Sequence, residues 1–158
     1  MLRHRWNLTP NQAIALQQKL RGRVELADRL TPIKLVAGVD VGFLEDGAVT
    51  RAAIAVLDYE TLALREHAIA LCPTTFPYVP GLLSFREIPA IVQAYRRLRH
   101  KPDLIICDGQ GYAHPRRFGL ACHLGVYLDV PSIGVAKTLF VGAYASLGRK
   151  RGSSSALV

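Results

Sequence analysis

No apolar run in this 158-residue sequence approaches the ~18 residues of a membrane-spanning helix, and Met1-Leu-Arg-His-Arg-Trp6 lacks the apolar core of a secretory signal. Both absences point to a cytoplasmic protein with no membrane partner. Cysteine is scarce as well: Cys72, Cys107 and Cys122 are an odd number, form no Cys-x-x-Cys and sit among apolar residues. That excludes a disulfide framework and reads as reduced, buried thiols. Acidic residues thin out in one half only. Residues 1–87 carry 10 Lys+Arg against 9 Asp+Glu, whereas residues 88–158 carry 10 against 3. A basic surplus so confined favours an acidic partner, most simply nucleic acid. Arg96, Arg97, Arg99 and Lys101, taken alone, read as a solvated helix face. The few acids left beyond Glu87 need a reason.

What is present is a globular domain, 50% hydrophobic and 20% charged, of a length that suits a single core. Thr9 as N-cap and Pro10 at the first helical position open an amphipathic helix expected to run to about Leu30, with Ile14, Leu16, Leu20, Val24 and Leu26 on its apolar side. Strands are expected at 34–44, 51–59 and 62–72. Turns at Glu45-Asp46-Gly47 and Glu60-Thr61 join them into an antiparallel meander. A loop rich in proline and aromatics follows, Pro73 to Pro80. Leu82, Phe85, Ile88, Ile91, Val92, Tyr95 and Leu98 keep helical spacing. Pro89 suits a first turn and disfavours helix at Ile88, so the main helix is expected over about 88–100 with Glu87 at its mouth. A strand at 104–108, a helix at 119–128 and a short strand at 132–135 complete the order. Residues 143–158, with Gly-Arg-Lys-Arg-Gly-Ser-Ser-Ser and no apolar period, read as a flexible basic tail behind a domain of residues 1–142.

Two carboxylates stand out. On the first strand, Leu35, Ala37, Val39, Val41 and Phe43 make one apolar face, and Asp40 lies on the other between Gly38 and Gly42. A buried, unpaired carboxylate is costly, and a bound cation is one common remedy. Pairing to an arginine or a backbone donor is the plainer account. Asp108 closes the strand Leu104 to Cys107, which then breaks into Gly109-Gln110-Gly111, where backbone can approach a ligand. A solvated Asp at an ordinary turn gives the same pattern. The order β-β-β-α-β-α-β is that of the ribonuclease-H-like fold, an α/β fold whose mixed sheet has three antiparallel strands, then parallel ones, flanked by helices. There the first and fourth strands are neighbours, ~4.8 Å apart, so by fold analogy Asp40 and Asp108 can share a hard cation of the Mg²⁺ type.

Four segments, Val36-Ala-Gly-Val-Asp-Val-Gly-Phe43, Pro77-Tyr-Val-Pro-Gly-Leu-Leu-Ser-Phe-Arg-Glu87, Asp103-Leu-Ile-Ile-Cys-Asp-Gly-Gln-Gly-Tyr-Ala-His-Pro-Arg-Arg117 and Pro131-Ser-Ile-Gly-Val-Ala-Lys137, together resemble endonuclease V, the deoxyinosine-directed nuclease family. The resemblance covers about residues 35–142. It implies a ribonuclease-H-like fold and a DNA-repair endonuclease that hydrolyses the phosphodiester one nucleotide beyond the 3′ side of inosine. It places the catalytic carboxylates on Asp40, Glu87 and Asp108, holding Mg²⁺ or, as a substitute, Mn²⁺. Lys137 is then the group that stabilises developing negative charge. Pro77-Tyr78-Val79-Pro80 resembles the family's wedge, with Tyr78 entering the base stack. The resemblance puts the extruded hypoxanthine against Leu83, the Gly109 to Gly111 backbone and His114, and makes Arg86 and Arg116 phosphate contacts. Arg117 reads as a generic basic residue.

Family members continue beyond the resembling segments with sheet-covering structure and a late acidic or histidine residue at the metal site, so the resemblance implies a chain short of that segment. Two readings compete with an active deoxyinosine nuclease. One is a binding module that recognises inosine-containing nucleic acid without cutting it. The other is an inosine-specific ribonuclease, because DNA, RNA and single strands present the same base edge. An actin-like phosphotransferase built on Val39-Asp40-Val41-Gly42 lacks a second phosphate loop and an adenosine motif.

Overall fold

Local chemistry sets the first element. The computed structural model describes residues 2–158. Thr9 caps α1 (Pro10–Leu20): its hydroxyl accepts the Gln12 N–H at 3.3 Å, and Gln12 Oε1 accepts the Thr9 N–H at 2.9 Å, a reciprocal capping box. The helix stops well short of Leu30. Gly22 lies in a single 3-10 turn, Arg21–Arg23, after which Val24 is extended. Leu26 is 63% exposed, so the longer apolar stripe has nothing to bury against. The buried side of α1 is Ala13, Gln17 and Leu20, a face that carries a polar side chain.

Three strands follow as the expected meander: β1 (Leu35–Leu44), β2 (Val49–Asp58) and β3 (Leu64–Pro73). Next, α2 (Leu83–Arg97) crosses over to β4 (Leu104–Asp108), which runs parallel to β1. Then α3 (Leu120–Leu128) leads to β5 (Ser132–Val135), parallel to β4. The strand order is β3-β2-β1-β4-β5. This is the ribonuclease-H-like arrangement that the element order predicts.

Contrary to expectation, α2 starts at Leu83 rather than near 88 and carries Pro89 inside it. A proline in a helix interior costs about 3 kcal/mol through its missing donor and its clash with the preceding turn. Leu82, Phe85 and Ile88, all fully buried, lie before it. Burial of each contributes about 1.5–3 kcal/mol, so together they outweigh the proline. Glu87 consequently sits within the helix, not at its mouth.

One face of the sheet is covered: Val39, Ile54, Val56 and Ile105 pack with Ile88 and Ile91 of α2 and Leu124 of α3. Among the described residues the other face is open. Ile69, Ile106 and Val135 there are 43%, 37% and 56% exposed. Asp40, expected in an otherwise buried strand, therefore faces solvent. A Cβ added at Gly38 or Gly42 would meet nothing within 4 Å. Of the three thiols only Cys107 is fully buried. Residues 143–158, expected as a flexible tail, double back: Ala143 and Val158 exchange backbone hydrogen bonds of 2.8 and 2.9 Å. No helix among the described residues is long and apolar enough to cross a membrane.

Candidate active site

The β1–β4 register decides where the two carboxylates go. Its last pair is Val39 with Cys107, and the next residue on each strand is an aspartate, Asp40 and Asp108. The two acids thus leave adjacent parallel strands side by side, and both are exposed. Asp40 Oδ1 accepts the Val41 N–H at 2.8 Å, which orients it. Asp108 Oδ2 accepts from Lys137 Nζ at 2.6 Å, the lysine lying just past β5. That hydrogen bond and the charge of Asp108 hold the Lys137 pKa above its ordinary value.

Glu87 reaches the same place from α2. Desolvation, followed by the charges of Asp108 and Asp40, pushes its carboxyl up to about 7, with Arg86 opposing. Asp40, Glu87, Asp108 and Lys137, the four residues expected to be catalytic, line one cleft of about 290 Å³. Among the described residues no group of three or more His, Cys, Asp or Glu side chains stands ready to hold a metal ion. The donor set nonetheless suits a hard cation: carboxylate oxygens on neighbouring strands, with a lysine ammonium drawn onto one of them.

A second cavity, of about 270 Å³, shares Glu87, Asp108, Gly109 and Leu83 with the cleft. This is close to the lower bound of ~300 Å³ for small-molecule sites. Tyr78, 69% exposed, stands at its edge together with Pro80. Val79 instead packs against the cluster of Phe76, Leu82 and Phe85, so the loop projects Tyr78 between exposed prolines, Pro77 and Pro80.

The loop is tied down at one carbonyl. Gly81 O accepts from Gln17 Nε2 at 3.0 Å, His114 Nε2 at 3.1 Å and Arg116 Nη2 at 2.7 Å. Gly81 has φ +78, and a Cβ there would lie 2.7 Å from Arg116 Nη2. Only glycine suits both the turn and the crowding.

This hub redefines three expected site residues. His114 lines the cavity, but its Nδ1 accepts the Arg116 N–H at 3.2 Å and its Nε2–H donates to Gly81, so it offers a ring face rather than a free nitrogen. Arg116 also bonds Gln17 Oε1. Arg86 donates to Phe76 O at 2.9 Å and Gly47 O at 3.4 Å and lies over the Phe43 ring. Both arginines, expected at phosphates, are engaged by the protein's own groups. Leu83 and Gly109 line the cavity. Gly111, expected there too, does not: it lies behind, its carbonyl accepting the Gly119 N–H at 2.9 Å and its Cα backing onto Gly134. Sequence reasoning missed Gln17, Ser84 and Phe140 as lining residues. Gln17 sits within what reads as an apolar stripe, and no local pattern marks it.

The Endonuclease V family model matches residues 18–158. The chain belongs to the endonuclease V family. Endonuclease V of Nostoc punctiforme is 53% identical over 156 residues, which is 98% of this chain and 71% of that protein. The crystal structure of endonuclease V from Streptomyces avermitilis superposes with a TM-score of 0.91 at 48% identity, covering 97% of this chain and 68% of that one. Endonuclease V of Ciona intestinalis, solved with a 24mer DNA containing an inosine followed by a ribo-adenosine, gives a TM-score of 0.76 at 30% identity over 82% of this chain and 58% of that one. Membership in the endonuclease V family makes the chain one of a family of nucleases. The family match also runs through residues 143–158.

Proposed function

We propose that this chain cleaves inosine-containing DNA, hydrolysing the phosphodiester one nucleotide beyond the 3′ side of the deaminated base and leaving 3′-hydroxyl and 5′-phosphate ends. The observation that carries this reading is the β1–β4 register, which sets Asp40 beside Asp108 in a cleft that shares Glu87 with the neighbouring cavity. Asp40 and Asp108 would hold Mg²⁺, with Mn²⁺ as a substitute, and Glu87 would support the ion or its water. A cation so bound acidifies water and neutralises phosphate charge. Lys137 keeps a positive charge at the rim of the cleft, where charge develops on the phosphate. Tyr78, held by prolines on both sides, fills the stack that the extruded base leaves. Unstacking costs a few kcal/mol and least for a poorly paired base, which favours deaminated sites. Leu83, Gly109 and the face of His114 would receive the base. Arg86 and Arg116 would brace the wedge loop rather than supply the main phosphate contacts.

A second reading is binding without cleavage. It is favoured by the absence, among the described residues, of a ready group of three metal ligands. Matched inosine-containing DNA and RNA strands, incubated with Mg²⁺, Mn²⁺ or EDTA, separate the two. Cation-dependent nicking of DNA that Asp108→Ala abolishes is expected. Nicking that survives Asp108→Ala overturns the assignment, tight binding with no nicking in Mn²⁺ selects the second reading, and preference for the RNA strand makes the chain a ribonuclease.

A further inference from the structure

A histidine that the proposed chemistry does not use lies fully buried behind the cavity. His123, on α3, is 0% exposed, and burial, with the nearby His4, pushes its pKa down to about 3. Its Nδ1 lies 2.9 Å from Ser84 Oγ, and its Nε2 lies 2.9 Å from His4 Nε2. His4 Nδ1 in turn lies 2.9 Å from the Arg5 carbonyl oxygen. Ser84, in the first turn of α2, is 3% exposed and lines the cavity.

The direction of every proton in this thread follows from its outer end. A carbonyl oxygen only accepts, so His4 Nδ1 carries a hydrogen. Burial holds the His4 pKa below its ordinary value, which keeps the ring neutral and leaves His4 Nε2 an acceptor. His123 Nε2 must then donate to it. The neutral His123 has no second hydrogen, so its Nδ1 accepts, and the Ser84 hydroxyl is the donor. A hydroxyl has one hydrogen and two lone pairs. With the hydrogen committed to His123, the only hydrogen-bonding capacity the Ser84 side chain has left for the cavity is a lone pair.

Hypoxanthine and adenine differ at this point of the ring: hypoxanthine carries an N1–H, adenine a bare N1 lone pair. We propose that Ser84 is a specificity-determining residue of the cavity, its oxygen accepting the N1–H of a 6-oxopurine, and that His123 and His4 are positioning residues that keep Ser84 an acceptor. The proposal deepens the inosine reading and rests on it. Adenine sets lone pair against lone pair at Ser84, and a free hydroxyl would lose that discrimination by rotating.

Binding is measured by fluorescence anisotropy in EDTA, with matched DNA carrying hypoxanthine or adenine, for the wild type, Ser84→Ala and His123→Phe. Thermal melting checks the fold of each variant. The wild-type preference for hypoxanthine over adenine should fall about tenfold, the equivalent of one hydrogen bond, in both variants. Two-bond ¹H–¹⁵N correlation on the wild type reads the tautomer directly and needs no variant to fold: His123 Nδ1 should be unprotonated and Nε2 protonated. A protonated Nδ1 overturns the proposal. So does a wild-type preference that Ser84→Ala leaves intact, with the inosine reading then standing. Equal wild-type affinity for the two bases overturns the inosine reading, and the role of Ser84 with it.

Discussion

Replacing Glu87 by glutamine removes one of the three acidic charges of the cleft while keeping the shape of the side chain. In the unfolded chain this carboxyl titrates near 4.5. In the fold, desolvation and then Asp108 and Asp40 push it up to about 7. Between those values the native state binds more protons than the unfolded state, so stability falls as pH rises. The penalty is absent below about 4.5 and complete above about 7. Between about pH 4 and about pH 8 it amounts to about 3 kcal/mol. Urea unfolding in EDTA at both pH values measures it. The wild type should lose about 3 kcal/mol relative to Glu87→Gln on going to the higher pH. Added Mg²⁺ should then restore the wild type at the higher pH more than the variant, because a cation between the carboxylates removes the cause of the penalty. Parallel pH dependences for the two proteins would refute the claim that Glu87 shares the charge field of Asp40 and Asp108.

Three further substitutions test the geometry. Lys137→Met removes a side chain that is 84% exposed and paired to Asp108, so it should leave thermal stability nearly unchanged and slow single-turnover nicking by about 10²-fold; an unaltered rate takes Lys137 out of the chemistry. Gly81→Ala puts a Cβ at φ +78 and 2.7 Å from Arg116 Nη2, which should cost about 1–3 kcal/mol and weaken binding of inosine-containing DNA. A stability equal to wild type would mean the Gly81 hub does not hold the loop. Gly134→Ala drives a Cβ to 2.5 Å from Gly111 N and 2.6 Å from Gly109 O, both backbone, so nothing flexible can yield. Its cost should exceed about 4 kcal/mol in denaturant unfolding, and a mild effect would show that the loop after β4 is free to move.

Contiguous features of the site were legible in the sequence. The alternation around Asp40, the strand that stops at Asp108 and the proline-flanked Tyr78 each sit in one short segment, and their neighbourhood followed once the strand order was read. The errors came from reading single residues as stronger than burial. Pro89 reads as part of a first turn, yet the buried Leu82, Phe85 and Ile88 carry the helix about five positions further back, to Leu83. The apolar spacing through Leu26 extends α1 on paper, yet Leu26 has no surface to cover. The two arginines read as free cations because the carbonyls they bind, Gly81 O and Phe76 O, lie 35 and 10 residues away from them in the chain.

The groups that position the cavity are the ones local pattern cannot find. Gln17 reaches Gly81 across 64 residues, and His4 reaches His123 across 119. Each is a polar side chain in an apolar setting, and each is tolerated only because its partners satisfy it; a missing partner would leave a penalty of about 1–3 kcal/mol. That penalty makes these bonds all-or-none, so they fix the wedge loop and the first turn of α2 against each other more sharply than apolar packing would. The acid cluster behaves in the opposite way. Desolvation and the charges of Asp108 and Asp40 oppose ionisation of Glu87, so its approach has to be imposed by α2 and by the sheet register. The polar bonds of Gln17 and His123 thus hold the base cavity from behind, while α2 carries Glu87 from the same cavity to the two aspartates.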